Sequence, residues 1–315
     1  MKPAQLTIGF VRRGFSESGG AESYLKRLAD GVLASGHDVR LATTAEWPPS
    51  EWPFGAIMRL AGKTPTEFAD SFQSFRPNWN CDVVLSLERV WQCDVYRAGD
   101  GVHRAWLARR KNFDAGLRRL HGIFNRKHRA ILCLEESLFG HRGARRVIAN
   151  SEMVKREIVQ LYGCPGDQID VVRNGVPVEQ FRSTAEMRLR SRLALGLGDD
   201  ALAVLFVGSG WGRKGLHFAI KAVEACKNPQ MQLLVAGRGN RAEYRSRSLR
   251  FLGVVHDLPA LYAAADIFLL PTIYDPFSNA CLEAVASGLP VITTSSNGFA
   301  EIVEEGIQGS IVNDP

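Results

Sequence analysis

The sequence predicts an α/β fold of two domains, each built on a parallel sheet that helices cover on both faces. Apolar strands alternate with amphipathic helices along the chain, which is the pattern of a buried parallel sheet. The pattern restarts after the turn signal Asn-Gly-Val-Pro at 174–177. A chain of 315 residues also exceeds one typical core. We therefore expect a first domain at 1–177 and a second domain at 178–315.

The first predicted domain opens with the strand Leu6–Val11, a glycine-containing loop and an amphipathic helix that ends at Gly36. Further along, Asn150 or Ser151 is placed to cap another helix. The remaining strands of this domain are predicted at 38–43, 81–87, 93–98, 146–149 and 168–173.

The second predicted domain repeats this order. Its strands are predicted at 201–208, 231–237, 249–255, 267–271 and 290–294, with a final strand before Asp314. A flexible glycine-rich loop follows the first of these strands. Helices are expected at 258–264, after Asp275 and near Glu301. Because ligands bind at the carboxyl ends of parallel strands, we expect the two domains to face a shared cleft.

The composition excludes several classes of protein. The chain is 45% hydrophobic and 23% charged, as in globular rather than disordered proteins. Its longest apolar run, Ala201–Val207, is far shorter than the ~20 residues that span a bilayer, and the first strand is too short for a signal peptide. We therefore expect a cytoplasmic protein. Six cysteines without a CxxC pair argue against disulfides and zinc, and a net charge of +6 favours anionic partners.

The segment Pro271–Val291 predicts an anion site. A buried strand runs through a turn into a helix, whose first N–H groups and positive dipole end suit phosphate. Asp275 lies before this helix and Glu283 lies within it. Carboxylates repel phosphate, so their partners are expected to be sugar hydroxyls, and the arrangement indicates a nucleotide-sugar site. The alternative is an ordinary strand-helix unit with a capped helix and a solvated glutamate.

The loop 208–215 carries two cations at the start of a helix. It does not match the dinucleotide-binding pattern, because Arg213 stands where the third glycine is needed. It does not match the phosphate-binding loop of nucleotide hydrolases either, because Gly215 follows Lys214. Arg213 and Lys214 could instead bind a diphosphate and offset the charge that builds as it leaves. The alternative is a solvated turn with two surface cations.

Two places in the first domain are candidates for a ligand. Gly19 and Gly20 could let the backbone approach a ligand closely, or could serve turn geometry alone. Asp100 and His103 follow a predicted strand and form a catalytic hypothesis, whereas a lone histidine is often structural.

The segment 104–129 is strongly basic. It holds nine lysines and arginines against the single acid Asp114, together with an apolar stripe at helical spacing. The stripe consists of Trp106, Phe113, Leu117, Leu120 and Phe124. Such a segment can lie on an anionic membrane, or the stripe can face the core beneath a solvated basic face. Gly116 and Gly122 would interrupt a continuous helix.

Taken together, these pieces resemble the retaining glycosyltransferases of family 4, which have the GT-B fold of two Rossmann-like domains. The resemblance rests on GFSESGGAESY, VIANSEMVKREIVQLYG, VVRNGVPVEQF, FVGSGWGRKGLHFAIKAV, AAADIFLLPT and YDPFSNACLEAVASGLPVITT, which span nearly the whole chain. The GRKG loop and the segment DVYRAGDGVHR are most similar to the branch that builds the lipopolysaccharide core with glucose. That branch is peripheral to the inner membrane.

The resemblance implies roles for individual residues. Arg213 and Lys214 bind the donor diphosphate, Glu283 takes the ribose hydroxyls, and Asp275 holds the transferred hexose. The backbone N–H groups around Phe277, Ser278 and Asn279 assist Asp275. The other implied substrate-side residues are Gly19, Gly20, Asn174, Val255, His256, Asp100 and His103. Gly19 and Gly20 approach the donor phosphates, and Val255 and His256 cradle the base. Asp100 or His103 lies beside the reacting sugar. The family keeps the anomeric configuration and needs no metal or other cofactor.

Two departures from the family pattern stand out. The first acidic position is an aspartate, Asp275, where the family has glutamate, so its reach is one methylene shorter. Relatives also continue beyond the position of Pro315, which suggests an incomplete second domain.

We interpret the sequence as a hexosyltransferase that uses a UDP-hexose, with UDP-glucose favoured, to extend a lipid-linked cell-envelope glycan at the inner membrane, without a nucleic-acid partner. The alternatives are a truncated, non-catalytic paralogue that binds nucleotide-sugar or membrane, and a UDP-sugar epimerase of the same fold. An NAD-dependent oxidoreductase is disfavoured by the broken pattern at Arg213.

Overall fold

The computed structural model describes residues 4–16, 20–113 and 125–315. The chain forms two compact units, Met1–Val172 and Arg173–Pro315. Each unit is built around one sheet whose strands all pair in parallel. The predicted α/β fold with two parallel-sheet domains is therefore confirmed, while the assignment of the domains to 1–177 and 178–315 stays a prediction.

The first unit contains a seven-stranded sheet in the order β3-β2-β1-β4-β5-β6-β7. Its strands are β1 Thr7–Val11, β2 Asp38–Thr43, β3 Ala56–Arg59, β4 Val83–Ser86, β5 Cys93–Ala98, β6 Ala144–Ala149 and β7 Ile169–Val171. The order reverses between β1 and β4. Ligands of open α/β sheets bind outside the carboxyl ends of the strands at such a switch point.

The helices of the first unit begin and end at local signals. They are α1 Gly20–Ala34, α2 Pro65–Phe75, α3 His103–Arg110, α4 Arg126–Glu135 and α5 Glu152–Tyr162. Ser151 caps α5 by accepting from the Val154 N–H, which confirms one of the two predicted caps, and Gly163 ends α5 in the left-handed region. A π-helical turn at Glu136–Gly140 follows α4.

The second unit contains a six-stranded sheet in the order β10-β9-β8-β11-β12-β13. Its strands are β8 Leu202–Val207, β9 Met231–Ala236, β10 Leu249–Gly253, β11 Ile267–Leu270, β12 Val291–Thr294 and β13 Gly309–Val312. Its helices are α6 Val178–Phe181, α7 Ala185–Ala194, α8 Trp211–Lys214, α9 Leu216–Ala225, α10 Leu258–Ala264 and α11 Asn279–Ala286. The order reverses between β8 and β11, so the loops that follow these two strands adjoin each other.

Two predictions about local structure differ from the structure in detail. The loop 208–215 contains a short helix, because α8 fills its centre between Gly210 and Gly215, both in the left-handed region. The helix expected near Glu301 is observed as a short 3-10 helix at Gly298–Ile302, capped by the side chain of Asn297 and ended by extended backbone at Val303. Neither β3 nor α2 was predicted.

No helix in the described ranges has the length and apolar character needed to cross a membrane. The cysteines are free thiols, and Cys133 and Cys226 are exposed.

Candidate functional site

The switch point of the second unit brings together the two loops that the sequence singled out. The Ile273 N–H donates to the Arg213 carbonyl oxygen at 2.9 Å, and the Thr272 hydroxyl donates to the same oxygen at 3.0 Å. These bonds fasten the loop after β11 to the last turn of α8. The predicted cation pair and the predicted acidic loop therefore form one surface within this unit.

Gly215 permits this close approach. Its φ is +80°, and a Cβ at this position would lie 1.8 Å from the Pro271 carbonyl oxygen. Only a residue without a side chain fits both the left-handed backbone and the contact. The start of α9 can therefore lie directly against the end of β11.

Lys214 and Asp275 form an ion pair across the two loops. Both side chains are largely withdrawn from solvent, with exposed fractions of 13% and 7%. The backbone of Asp275 is fixed as well, since its N–H donates to the Ser296 oxygen at 3.0 Å and its carbonyl accepts from the Gly298 N–H at 2.9 Å. A group that binds anions, the Lys214 ammonium, and a group that accepts hydrogen bonds from hydroxyls, the Asp275 carboxylate, are therefore in direct contact.

Arg213 has a different environment from its neighbour. Its Nη1 donates to the Tyr274 carbonyl oxygen at 2.8 Å. The two predicted phosphate-binding cations therefore have different partners, one a carboxylate and the other a backbone carbonyl. Both partners lie in the loop after β11.

The helix α11 begins beside this pair. The Ser278 hydroxyl caps it by accepting from the Cys281 N–H at 3.4 Å, and the Ser278 N–H donates to Asn297 Oδ1 at 3.2 Å. The Ser278 amide is thus already engaged by Asn297. Phe277 is buried against Phe299. Its side chain serves packing, and any ligand contact at this residue would come from its backbone.

Two further predicted site residues are held by side-chain hydrogen bonds. Asn174 Nδ2 donates to Asn279 Oδ1 at 2.6 Å. The Tyr262 hydroxyl donates to Glu283 Oε2 at 2.9 Å and contacts the Ala280 carbonyl at 3.1 Å. Burial, with the Glu283 charge, raises the pKa of Tyr262 well above its ordinary value, so the phenol stays a donor. Glu283 is thereby oriented on the first turns of α11.

Trp211 is a supporting residue that the sequence did not single out. Its Nε1 donates to the Gly208 carbonyl at 2.9 Å, its ring stacks on Phe251 with centroids 5.0 Å apart, and Gly239 lies against the ring. The indole therefore ties α8 to β10 and to the loop after β9. The sequence signal that could have identified Trp211 is its position between two glycines in a loop that carries two cations. Of the residues predicted near the base, Val255 packs on the core of this unit and His256 is exposed.

The first unit places Asp100 and His103 after β5. Asp100 is 56% exposed, and its Oδ2 lies 3.8 Å from Arg12 Nη1 and 3.9 Å from Arg89 Nη1. His103 Nε2 shares a hydrogen bond of 3.0 Å with His128 Nδ1. Burial, together with the charges of Arg89, His128 and Lys127, lowers the pKa of His103 to about 3. The imidazole is therefore neutral near pH 7.

Two carboxylates near these residues, Glu88 and Glu135, are largely or completely withdrawn from solvent. Glu88 accepts from the Arg13 N–H at 3.3 Å, and burial raises its pKa against the opposing charge of Arg12. Glu135 lies at the end of α4, completely buried. Neither residue was predicted from the sequence, because the neighbours that shield each of them from solvent are distant in the chain.

Some predictions fall on residues that are not described. Gly19 lies outside the described residues, whereas Gly20 is the exposed first residue of α1. Residues 114–124 of the basic segment also lie outside them. Of the described part of the segment, residues 104–110 lie in α3 and residues 126–129 lie in α4. Trp106 of α3 contacts His103 with ring centroids 5.4 Å apart. Among the described residues, no group of three or more His, Cys, Asp or Glu side chains is placed to hold a metal ion.

Comparisons with known proteins agree on the family. The sequence model described as Glycosyltransferase Family 4 matches residues 18–180, more than half of the chain. The model described as Glycosyl transferases group 1 matches residues 201–315. An uncharacterized glycosyltransferase of Methanocaldococcus jannaschii is 26% identical, over 92% of this chain and 80% of the relative.

Solved structures support the fold. The crystal structure of WaaG, a glycosyltransferase involved in lipopolysaccharide biosynthesis, matches with a TM-score of 0.80 at 22% identity, over 97% of this chain and 85% of that one. Anabaena HepE in complex with UDP-glucose matches with a TM-score of 0.72 at 19% identity, over 98% of this chain and 86% of the HepE chain. These likenesses confirm the predicted GT-B fold.

Proposed function

The chain belongs to glycosyltransferase family 4, and from this we propose that it transfers glucose from UDP-glucose to a cell-envelope glycan such as the lipopolysaccharide core, with retention of the anomeric configuration. The observation that carries the proposal is the ion pair of Lys214 and Asp275 beside the first turn of α11. A diphosphate needs a cation and a hexose needs an acceptor for its hydroxyls. Lys214 supplies the cation and Asp275 supplies the acceptor, and both lie in the loops that follow β8 and β11, where the strand order reverses.

We propose that donor binding exchanges the partners of this pair. The Lys214 ammonium moves from Asp275 to the diphosphate, and the freed carboxylate accepts hydrogen bonds from hexose hydroxyls. Arg213 adds a second positive charge, which stabilises UDP as it leaves. Glu283, already oriented by Tyr262, accepts the ribose hydroxyls. The base lies at Val255 and His256, and the substrate also contacts Asn174 and the backbone N–H groups of Phe277 and Asn279.

The chemical step in this proposal is a front-face displacement. The acceptor oxygen bonds to the anomeric carbon, the bond from that carbon to the phosphate oxygen breaks, and the acceptor proton passes to the departing phosphate. Asp100 and His103 belong to the acceptor side. A neutral His103 suits the binding of hydroxyl groups, because a neutral imidazole both donates and accepts hydrogen bonds.

The choice of donor draws on relatives. HepE was crystallised with UDP-glucose, and WaaG is described as acting in lipopolysaccharide biosynthesis. The residues quoted for the resemblance favour the same branch. We therefore prefer a UDP-hexose over GDP- and ADP-sugars.

A thermal-shift panel of UDP-, GDP- and ADP-glucose tests the donor. We expect UDP-glucose at about 100 times its Kd to stabilise the wild type by ~2.7 kcal/mol, and Arg213→Ala to lose most of this shift. Arg190→Ala, at an exposed arginine of α7, is the matched control and should keep it. Equal shifts with all three nucleotides, or none with any, would contradict the donor assignment.

We also propose that residues 104–129 bind the anionic inner membrane from the cytoplasmic side. Arg126, Lys127 and Arg129 are exposed, as contact with lipid phosphates requires.

Co-sedimentation with vesicles tests this surface. We expect binding to vesicles rich in phosphatidylglycerol, with binding at least ~30-fold weaker in the double variant Arg126→Glu and Lys127→Glu, because each basic residue contributes about 1 kcal/mol. The exposed pair Arg245→Glu and Arg247→Glu provides the charge-matched control. Equal binding to neutral vesicles would reject an electrostatic role.

A further inference from the structure

Glu135 is a buried carboxylate with an unusually complete set of donors. Its side chain is 0% exposed. Oε1 accepts from Arg89 Nε at 3.1 Å, from Arg89 Nη2 at 2.9 Å and from the His103 N–H at 2.7 Å. Oε2 accepts from the Arg104 N–H at 3.2 Å and from the Tyr162 hydroxyl at 2.7 Å. Such saturation removes the usual reason against burying a charge.

Two of these donors belong to the first turn of α3. The residue at its N-cap is Val102, whose side chain offers no acceptor, and the first turn contains no acidic residue. Helices need acceptors for their first N–H groups, and a negative charge there is favourable. Glu135 meets both needs from another helix. The position of His103, the first residue of α3, therefore depends on this carboxylate.

Two other donors come from Arg89, which braces the loop before α3. Besides its two bonds to Glu135, Arg89 Nη2 donates to the Gly101 carbonyl oxygen at 3.0 Å. Arg89 Nη1 lies 3.9 Å from Asp100 Oδ2. The carboxylate thus holds the arginine that supports the residues next to Asp100. The buried Glu135 carboxylate is therefore linked to both acceptor-side candidates, Asp100 and His103.

We propose that Glu135 is a positioning residue that fixes Asp100 and His103 in the geometry needed for glycosyl transfer. This inference rests on the proposed function. Glu135 acts through other groups, the Arg89 guanidinium and the first turn of α3. Without its charge, the Arg89 guanidinium has Asp100 as its nearest remaining carboxylate, and the α3 N–H groups lose their anionic acceptor. Both changes displace the acceptor-side residues while leaving the second unit intact.

The test compares Glu135→Gln with Glu136→Gln. Glu136 is the next residue in the chain, is 41% exposed and pairs with the Arg104 side chain at 2.6 Å, so the control makes the same chemical change without touching His103 or Arg89. Three quantities are measured for each variant. They are UDP release from UDP-glucose, the thermal shift caused by UDP-glucose, and the pH titration of the His103 imidazole by NMR.

For Glu135→Gln we expect UDP release to fall by about 10- to 100-fold, since small misplacements of reacting groups have effects of this size. The UDP-glucose thermal shift should stay unchanged. The His103 titration midpoint should move from its wild-type value, because burial and the Arg89 charge, the two main causes of its low pKa, both change when His103 and Arg89 shift. Glu136→Gln should match the wild type in all three.

A folded Glu135→Gln protein with wild-type UDP release and a wild-type His103 titration would overturn the proposal. If glutamine prevents folding, Glu135→Asp replaces it, because it keeps the charge but cannot span both sets of donors. A wild type that releases no UDP counts against the proposed function alone. The His103 titration then decides the positioning role without catalysis.

Discussion

Replacing Lys214 with alanine is expected to lower kcat/KM for UDP-glucose by about 10³-fold, the size of effect seen when a preorganised charge-stabilising group is removed. Lys214 is the cation nearest the carboxylate assigned to the hexose, and its ammonium is the partner proposed for the leaving diphosphate. Steady-state kinetics of UDP release measures the effect. Lys221→Ala, at an exposed lysine of α9, is the control and should change kcat/KM less than twofold.

A second variant separates chemistry from folding. Lys214→Ala leaves the buried Asp275 carboxylate without its cation, which destabilises a protein by about 3 kcal/mol. Adding Asp275→Asn should restore much of this stability in urea denaturation, because the uncompensated charge is gone. Activity should stay low in the double variant. Recovery of activity along with stability would show that Lys214 has only a structural role.

Gly215→Ala is expected to have the largest effect on stability, a loss of about 3 kcal/mol or more in the free energy of unfolding. The new Cβ would meet the Pro271 carbonyl oxygen at 1.8 Å, and the backbone φ is +80°. Relief of this clash requires α9 to move from the end of β11, which separates Lys214 from Asp275. Urea denaturation gives the stability, and the UDP-glucose thermal shift should be lost.

Gly210→Ala is the matched control for this prediction. Gly210 also has a left-handed φ, +70°, but nothing lies within 4 Å of the position of its Cβ. Gly210→Ala should therefore lower the free energy of unfolding only by the cost of a left-handed backbone at alanine, about 1–2 kcal/mol. Equal destabilisation by the two substitutions would show that the contact with Pro271 contributes nothing.

Local patterns predicted most of the fold. The helix Leu258–Ala264 was predicted at the residues where it is observed, and the structure shows it capped by Asp257 with Pro259 in its first turn. The strand β3 was missed because it has only four residues, which are mostly exposed, and its apolar run is limited to Ala56, Ile57 and Met58. The helix α2 was missed although its signal was present: Thr64 and Glu67 form a capping box, with Pro65 at the first helical position.

The candidate site was predicted less completely than the fold. Arg213, Lys214 and Asp275 could be found because each stands in a short motif. That Lys214 pairs with Asp275, whereas Arg213 binds a backbone carbonyl, depends on the order of strands in the sheet. Glu135 could not be found at all, since the donors that saturate it lie between 27 and 46 positions away in the chain. No spacing rule connects residues at that distance.

The reversal of strand order between β8 and β11 has a consequence for how the protein matures. Lys214 and Asp275 are 61 positions apart in the chain, so their encounter requires closure of a long loop. Contacts of high sequence separation lose chain entropy before packing compensates for it, and they form slowly. We infer that local elements such as α9 acquire structure early, and that the donor-binding surface is among the last parts of its unit to be completed. A nascent chain that has not yet emerged as far as β11 carries the two cations without their counter-charge.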